Sequence, residues 1–394
     1  MLRVILAGTI LTAASCAVQA ADALNVRIGY LGRAERTETI SLAQQPAAND
    51  GIAGAKLAIN DNNTTGKFLN QSFSIEEMRL KGQDDPASAV AQFADHGISL
   101  FLVDLPADAL LKAADAERAR GLLFFNVGAT DDRLRQEDCR ADVIHTAPTR
   151  AMLADGLAQY LVWKHWTRWL LVVGSHDADK LYADALRRSA GRFGAKIVQE
   201  RVFKDTGGAR RTDSGLTQIQ SQIPLFTQSA PDYDVLVAAD ESQVFADYLP
   251  YRTHDPRPVA GSGGLVPTTW DASLDQWGAI QLQDRFRRMF SRHMTALDMQ
   301  AWTAARMIGE AVTRVSADEP KTISNYIKGP DFALAAFKGR KLTVRDWDLQ
   351  LRQPILLADG RTIVSVSPQE GFLHQFSELD TLGIDRPETK CQLK

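Results

Sequence analysis

The chain has 394 residues, of which 45% are hydrophobic and 24% are charged, with 27 Gly and 15 Pro. This ordinary globular composition excludes extended disorder, collagen-like repeats and coiled coils. Lys and Arg number 45 against 48 Asp and Glu, a formal net charge of −3, so the sequence lacks the basic excess of nucleic-acid-binding proteins and we expect no nucleic-acid partner.

The first twenty residues have the three parts of a secretory signal peptide. Arg3 gives a positive start, residues 4–14 form an apolar run too short to span a bilayer, and Val18 and Ala20 occupy the positions before a cleavage site. We predict cleavage after Ala20, which makes residues 1–20 the signal peptide, and export to the periplasm. Cys16 lies in a poor lipidation motif, so a lipid anchor is the minor alternative.

Cys139 and Cys391 are the two cysteines that remain after this cleavage. An exported compartment can oxidise them, and we predict a disulfide that ties the C-terminal tail to the body of the protein. Two free thiols are the alternative, because the sequence says nothing about the separation of the two side chains.

Strand and helix patterns alternate along the first part of the mature chain. A helix start is clear at Asp85, where an Asp that can cap free N–H groups precedes a Pro. Repeated strand–helix units with short connections are typical of a parallel sheet that is covered on both faces. The strand patterns lie at residues 26–30, 73–78, 98–103 and 122–127, and helical patterns follow at residues 52–60 and 107–120.

The same rhythm restarts after an extended crossing at residues 143–148. Thr149 can cap the first helix of this second unit, and a helix pair and a hairpin-like region complete the chain. The patterns therefore predict two strand–helix units in tandem. Strands are expected at 169–174, 196–203, 233–239 and 259–264, a helix at 181–193, the helix pair at 275–292 and 298–315, and the late strands at 340–357 and 362–366.

The sequence lacks the common catalytic motifs, including G-x-S-x-G, H-E-x-x-H, C-x-x-C and the phosphate-binding loop. Residues 175–179 (Ser-His-Asp-Ala-Asp) directly follow a strand and suggest a metal or acid/base site; the alternative is the polar start of a helix. We expect no enzymatic activity, no metal and no catalytic cofactor.

Residues 51–62 resemble the first helix of the type I periplasmic binding proteins, the branched-chain amino acid type, and residues 301–305 resemble a later helix of that family. The resemblance implies an α/β fold of two Rossmann-like lobes with mostly parallel sheets, joined by a hinge. The expected division is lobe 1 at 21–144, lobe 2 at 145–272, a return to lobe 1 at 273–325, and a hinge crossing with a C-terminal segment, mainly in lobe 2, at 326–394.

A narrower resemblance concerns residues 145–155, 347–354 and 368–374, which are similar to substrate-binding proteins that accompany alcohol oxidation dependent on pyrroloquinoline quinone (PQQ). It implies the binding component of an ABC importer, a monomer that docks a membrane permease, with PQQ as the first candidate for its small-molecule ligand. A branched-chain amino acid, an alcohol-derived acid, or a scaffold role beside an alcohol dehydrogenase are the alternatives.

The loop after the first strand departs from the amino-acid binders, because it carries Arg33 and Arg36 in place of a hydroxyl-rich turn. Guanidinium groups suit an acidic ligand, since each can grip a carboxylate with two hydrogen bonds. Ligands of open parallel sheets bind beyond the carboxyl ends of the strands. The predicted ligand contacts are the cations Arg33, Arg36, Arg150 and Lys180, the strand-end acids Asp104 and Asp240, and the aromatic platforms Trp270 and Trp302.

Overall fold

The computed structural model describes residues 23–34, 46–116, 118–205 and 218–393. The predicted signal peptide and Arg36 therefore lie outside the described residues. Two parallel sheets, each covered by helices, account for most of the described chain, as the predicted α/β fold requires.

The first parallel sheet, with the elements that cover it, is called lobe 1. Its strands are β1 (Leu24–Arg33), β2 (Gln71–Leu80), β3 (Leu100–Asp104), β4 (Leu123–Asn126) and β5 (Val143–His145). They run parallel in the order β2-β1-β3-β4-β5. The helices between them are α1 (Ile52–Gly66), α2 (Pro86–Asp95) and α3 (Ala107–Ala116).

Alternating side chains along β1 divide lobe 1 into two apolar layers. Ile28 and Tyr30 belong to the layer that includes α1, whereas Leu31 belongs to the layer that includes α2 and α3. This period of two follows from strand geometry, and burial on both faces explains the uncharged run at residues 28–32 of the strand. Asp85 begins α2 as predicted, with its carboxylate accepting from the N–H groups of the first turn.

The second parallel sheet, with its covering helices, is called lobe 2. Its strands are β6 (Arg168–Val173), β7 (Lys196–Val202), β8 (Val235–Ala239) and β9 (Val259–Gly261), in the order β7-β6-β8-β9. Its helices are α4 (Arg150–Trp163), α5 (Asp177–Phe193), α6 (Ile219–Thr227) and α7 (Leu249–Arg252). Thr149 caps α4, since its hydroxyl accepts from the Met152 N–H at 3.0 Å.

The chain then returns to lobe 1, and it stays there longer than predicted. The returning elements are α8 (Ala279–Phe290), α9 (Ala296–Val315), α10 (Pro320–Lys328), β11 (Leu334–Ala335), β12 (Lys341–Val344) and β13 (Leu351–Arg352). Leu334, Leu342 and Leu351 pack into the same apolar cluster as α1 and α9. The expectation that residues 326–394 lie mainly in lobe 2 is therefore wrong for residues 326–351, because their apolar side chains cover the lobe 1 sheet.

A small antiparallel sheet connects the two lobes. It contains β10 (Val266–Thr268), β14 (Ile355–Ala358) and β15 (Ile363–Ser367), in the order β10-β14-β15. Leu356 belongs to the apolar cluster of lobe 1, whereas Ile355 and Leu357 belong to that of lobe 2. One face of β14 thus packs against lobe 1 and the other face packs against lobe 2.

The C-terminal segment is attached to both lobes. The Gly383 N–H donates to the carboxylate of Asp155 on α4 at 2.8 Å. Further on, Cys391 and Cys139 form a disulfide with an S–S distance of 2.09 Å, which fixes the tail to the loop before β5 of lobe 1. Within the described ranges, no helix has the length and apolar character needed to cross a bilayer.

Helices α1 and α9 approach so closely that one position between them requires glycine. A Cβ atom at Gly54 would overlap the carbonyl oxygen of Asp298, and the Asp298 carboxylate accepts from the Gly54 N–H at 3.3 Å. Because the obstacle is backbone, relaxation is costly. Gly191, in α5, has open space around its own Cβ position.

We expect Gly54→Ala to lower the free energy of unfolding by roughly 1–3 kcal/mol through overpacking. The matched change Gly191→Ala should be neutral or raise it by about 0.4–1 kcal/mol, because alanine restricts the unfolded chain. Equilibrium urea unfolding measures both. Equal losses in the two variants would contradict the backbone overlap.

Candidate functional site

The carboxyl ends of the parallel strands carry the polar groups from which a ligand site can be built. Arg33 ends β1 and Asp104 ends β3, while Asp240 and Glu241 directly follow β8. This edge of an open parallel sheet is where ligands bind, because the strands end and loops diverge there. The edges of the two lobes meet: the Arg150 Nη1 atom of lobe 2 lies 3.5 Å from the Asp131 carboxylate of lobe 1.

Arg33 and Asp104 form an ion pair at the edge of lobe 1. The Nη2 atom of Arg33 donates to the Asp104 carboxylate at 3.1 Å. Asp104 is buried, whereas 44% of the Arg33 side chain is exposed. Arg33 therefore stands where predicted and can reach a ligand. Asp104 is enclosed, and its carboxylate holds the Arg33 guanidinium in this structure.

Arg150 was predicted to contact the ligand, and the structure gives it another role. Its Nε and Nη2 atoms donate to the two carboxylate oxygens of Glu241 at 2.7–3.0 Å. Its guanidinium is nearly buried, and this bidentate bond occupies the edge that would grip a ligand carboxylate. Burial raises the pKa of the Glu241 carboxyl, although Arg150 opposes the shift.

The Asp240 carboxylate closes the loop that follows β8. Its buried carboxylate accepts from the N–H groups of Val244, Phe245 and Ala246 at 2.7–2.9 Å. Three backbone donors satisfy the group, so it is turned into the protein. Burial is the main cause that raises its pKa.

Lys180 lies on the exposed face of α5, where 60% of its side chain is in contact with solvent. Its Nζ donates to Asp177 at 2.9 Å, one turn earlier, a typical surface pair between residues three apart in a helix. In this conformation the side chain is engaged on the outer surface.

The two predicted aromatic platforms lie inside lobe 1. Trp270 and Trp302 are both about 98% buried in its apolar cluster. The indole N–H of Trp302 donates to Asp61 at 3.1 Å, and its ring centroid is 5.7 Å from that of Phe337. In this structure neither ring is exposed as a platform. Large aromatic side chains release most free energy when they are packed, and both of these are packed, Trp302 from α9 and Trp270 from the loop after β10.

Residues 175–179 form the start of a helix. The buried Asp179 carboxylate accepts from the N–H groups of His176 at 3.0 Å and Ser242 at 2.9 Å, which joins the loops after β6 and β8. His176, which is half-exposed, places Nε2 2.9 Å from the Asp205 carboxylate. Across the described part of the chain, no group of three His, Cys, Asp or Glu side chains could hold a metal ion.

A buried polar network lies where the chain crosses between the lobes, and sequence reasoning missed it. Gln353 Nε2 donates to the Thr146 carbonyl at 2.8 Å, and the Thr146 hydroxyl donates to the Gln300 carbonyl at 3.0 Å. Gln300 Nε2 in turn donates to the Thr269 hydroxyl at 2.9 Å. These bonds connect the three segments that cross between the lobes, at Thr146, Thr269 and Gln353. We call this set, together with Arg135, His145 and Gln350, the crossing network.

His145 is held neutral in this network. Asn126 accepts from backbone N–H groups through Oδ1, so its Nδ2 atom must donate across 3.1 Å to His145 Nδ1. The imidazole proton therefore lies on Nε2, which is a buried atom. Burial, reinforced by the charge of Arg135, lowers the pKa of His145 well below its usual value of 6.5.

A family described as "Periplasmic binding protein" matches residues 38–246, more than half of the chain. A periplasmic binding protein from Burkholderia mallei is 16% identical, with a TM-score of 0.68 over 94% of this chain and 99% of its own. A leucine-, isoleucine-, valine-, threonine- and alanine-binding protein from Brucella ovis, in a closed conformation, is 14% identical, with a TM-score of 0.72 over 94% and 100%.

An ABC transporter solute-binding protein from R. palustris, in complex with benzoate, is 12% identical, with a TM-score of 0.65 over 94% of this chain and 100% of its own. At such identities the similarity shows a shared fold. A comparison with curated protein sequences gives no match.

Acidification should destabilise the protein through His145. Its folded-state pKa is depressed, so below about pH 6.5 the unfolded chain takes up a proton that the folded chain does not. We expect the free energy of unfolding to fall from pH 6.5 towards pH 5, by up to about 1.4 kcal/mol per pH unit for this one group.

His145→Gln keeps an acceptor for Asn126 but does not titrate, so its pH dependence should be flatter. His96→Gln, at the exposed end of α2, is the matched control and should follow the parent protein. Urea unfolding at four or five pH values measures the slopes. A parent-like slope in His145→Gln would show that the buried imidazole is not the responsible group.

Proposed function

Because this chain belongs to the periplasmic binding protein family, we propose that it is the substrate-binding component of an ABC importer. It binds a small molecule between its lobes, delivers it to a membrane permease and performs no chemistry on it. The observation that carries this proposal is the meeting of two parallel-sheet edges, one from each lobe, at the Arg150–Asp131 contact. A ligand there touches both lobes, and their closure would exclude water and strengthen each polar contact.

The proposed ligand is a small carboxylate. Arg33 supports this class, because its half-exposed guanidinium lies at the sheet edge and carries five N–H donors in a planar fork. The names of the solved structures point in the same direction, since benzoate and the amino acids named there all carry a carboxylate.

PQQ, a tricarboxylate, is a member of this class and is supported by the resemblance of residues 145–155, 347–354 and 368–374. Its flat ring system needs an aromatic or apolar platform. Trp270 and Trp302 cannot provide it, because both are buried in lobe 1. A leucine-like amino acid or an alcohol-derived acid needs no such platform and fits the same guanidinium.

Thermal unfolding of the mature protein against PQQ, leucine, benzoate and short-chain acids tests the proposal. A ligand at a hundred times its dissociation constant stabilises the folded state by about 2.7 kcal/mol, which gives a visible rise in the melting temperature. We expect a rise with one or more of the carboxylates and none with the matching alcohols.

Arg33→Gln should raise the dissociation constant of that ligand about tenfold or more and so reduce the rise in melting temperature. The variant loses one charge-assisted hydrogen bond, which is worth about 1.5–3 kcal/mol. Lys180→Gln removes an equal charge from the outer face of α5 and should respond like the parent. A response to alcohols alone would exclude the carboxylate class. No response to any compound, with retained binding of a periplasmic dehydrogenase, would favour the scaffold alternative.

A further inference from the structure

Lys338 is a buried cation in the turn between β11 and β12. Only 2% of the residue is exposed. Its Nζ atom donates to Gln353 Oε1 at 2.6 Å, and no carboxylate oxygen of the described residues comes within 4.0 Å of it. An ammonium group has three N–H donors, so one neutral acceptor leaves both its charge and two of its donors without compensation.

A cavity of about 170 Å³ adjoins this lysine. A cavity of about 150 Å³ is large enough to hold a benzene-sized molecule. The walls are formed by the side chains of Trp277, Pro354, Val366 and Pro368, with Lys338 and Arg340 as the cationic residues. Trp277 is 44% exposed and the Arg340 side chain is 48% exposed, so the cavity reaches solvent.

The environment of Lys338 favours an anion. Transfer of an unpaired cation out of water is costly, and the protein responds by shifting the proton equilibrium or by supplying an opposite charge. Burial alone lowers the pKa of Lys338 to about 7, with no described charge acting against it. Arg340 does not need an anion in the same way, because it pairs with Glu378 at 2.7 Å.

We propose that this cavity is a second ligand site, which binds a small monocarboxylate with a short apolar tail. The carboxylate accepts hydrogen bonds from the Lys338 ammonium, and the tail packs on Trp277 and Val366. A single buried cation matches one negative charge, and the apolar walls distinguish a short-chain acid from chloride or sulfate, which would gain nothing from them.

This site is separate from the strand-edge site at Arg33. It is built from the turn before β12 and from the small sheet that connects the lobes. Lys338 is hydrogen-bonded to Gln353, which lies in the segment that leads into this sheet. Gln353 also donates to the Thr146 carbonyl, so a bound carboxylate lies three hydrogen bonds away from the first crossing between the lobes.

The test is a titration of the mature protein with sodium propionate at pH 6, where the Lys338 ammonium is charged, against sodium chloride at equal ionic strength. The urea-unfolding midpoint should rise saturably with propionate and stay nearly constant with chloride. In Lys338→Met the apparent dissociation constant should rise at least tenfold. Val366→Phe, which narrows the cavity and leaves the charge in place, should weaken binding too.

Two control variants locate the effect. Lys328→Met removes another half-buried lysine, which donates to the Ala141 carbonyl outside this cavity, and should keep the response. Arg33→Gln should also keep it, so failure of the strand-edge proposal and failure of this one are distinguishable. A response that persists in Lys338→Met, equals that of chloride, or is absent from the parent protein would overturn the assignment.

Discussion

Arg135 lies near the first crossing from lobe 1 to lobe 2, and its guanidinium is almost completely enclosed. Its Nε atom donates to Gln350 Oε1 at 2.8 Å and its Nη2 atom to the Ala147 carbonyl at 2.7 Å. Burial lowers its pKa to about 10, so the group stays charged at neutral pH. A buried charge is costly unless its donors are satisfied, and here two of the acceptors, Gln350 and Ala147, belong to the crossing segments. Separating the segments would remove the acceptors of its Nε and Nη2 atoms.

The crossing network fixes the position of one lobe relative to the other more strictly than apolar packing could. Each lobe has its own apolar clusters, and β14 is the element that shares side chains between them. Apolar contacts are non-directional, so two packed lobes could slide at small cost. Hydrogen bonds from Gln350 and Gln353 to the carbonyls of residues 145–147 are directional, and they fix the register of one crossing against another. Movement between the lobes is then left to rotation about these crossings.

The alternating strands and helices could be expected from the sequence, because they depend on local patterns. The pairing of Cys139 with Cys391 could be expected because only two cysteines remain after the predicted cleavage. The ligand contacts depended on partners far away in the chain. Nothing near Arg150 indicates Glu241, which is 91 residues later and occupies the Nε–Nη2 edge of its guanidinium. The sequence around Trp302 shows the same apolar helix pattern whether that helix face contacts a ligand or the core of lobe 1. Residues 326–351 were placed wrongly for the same reason, since short strands do not indicate which sheet they cover.

The cations near the crossings differ in how their charge is balanced, and this difference separates the two proposed sites. Arg33 is paired with Asp104, so a carboxylate that arrives there joins a pair that is already neutral. Its affinity must come from hydrogen-bond geometry and from water exclusion when the lobes close, which suits a site that takes up and releases its ligand. Lys338 has no such partner in the described chain, so an anion beside it restores neutrality without any movement of the lobes. That contact would also keep the ammonium protonated and its bond to Gln353 charge-assisted, which strengthens the crossing network on which the placement of both lobes depends.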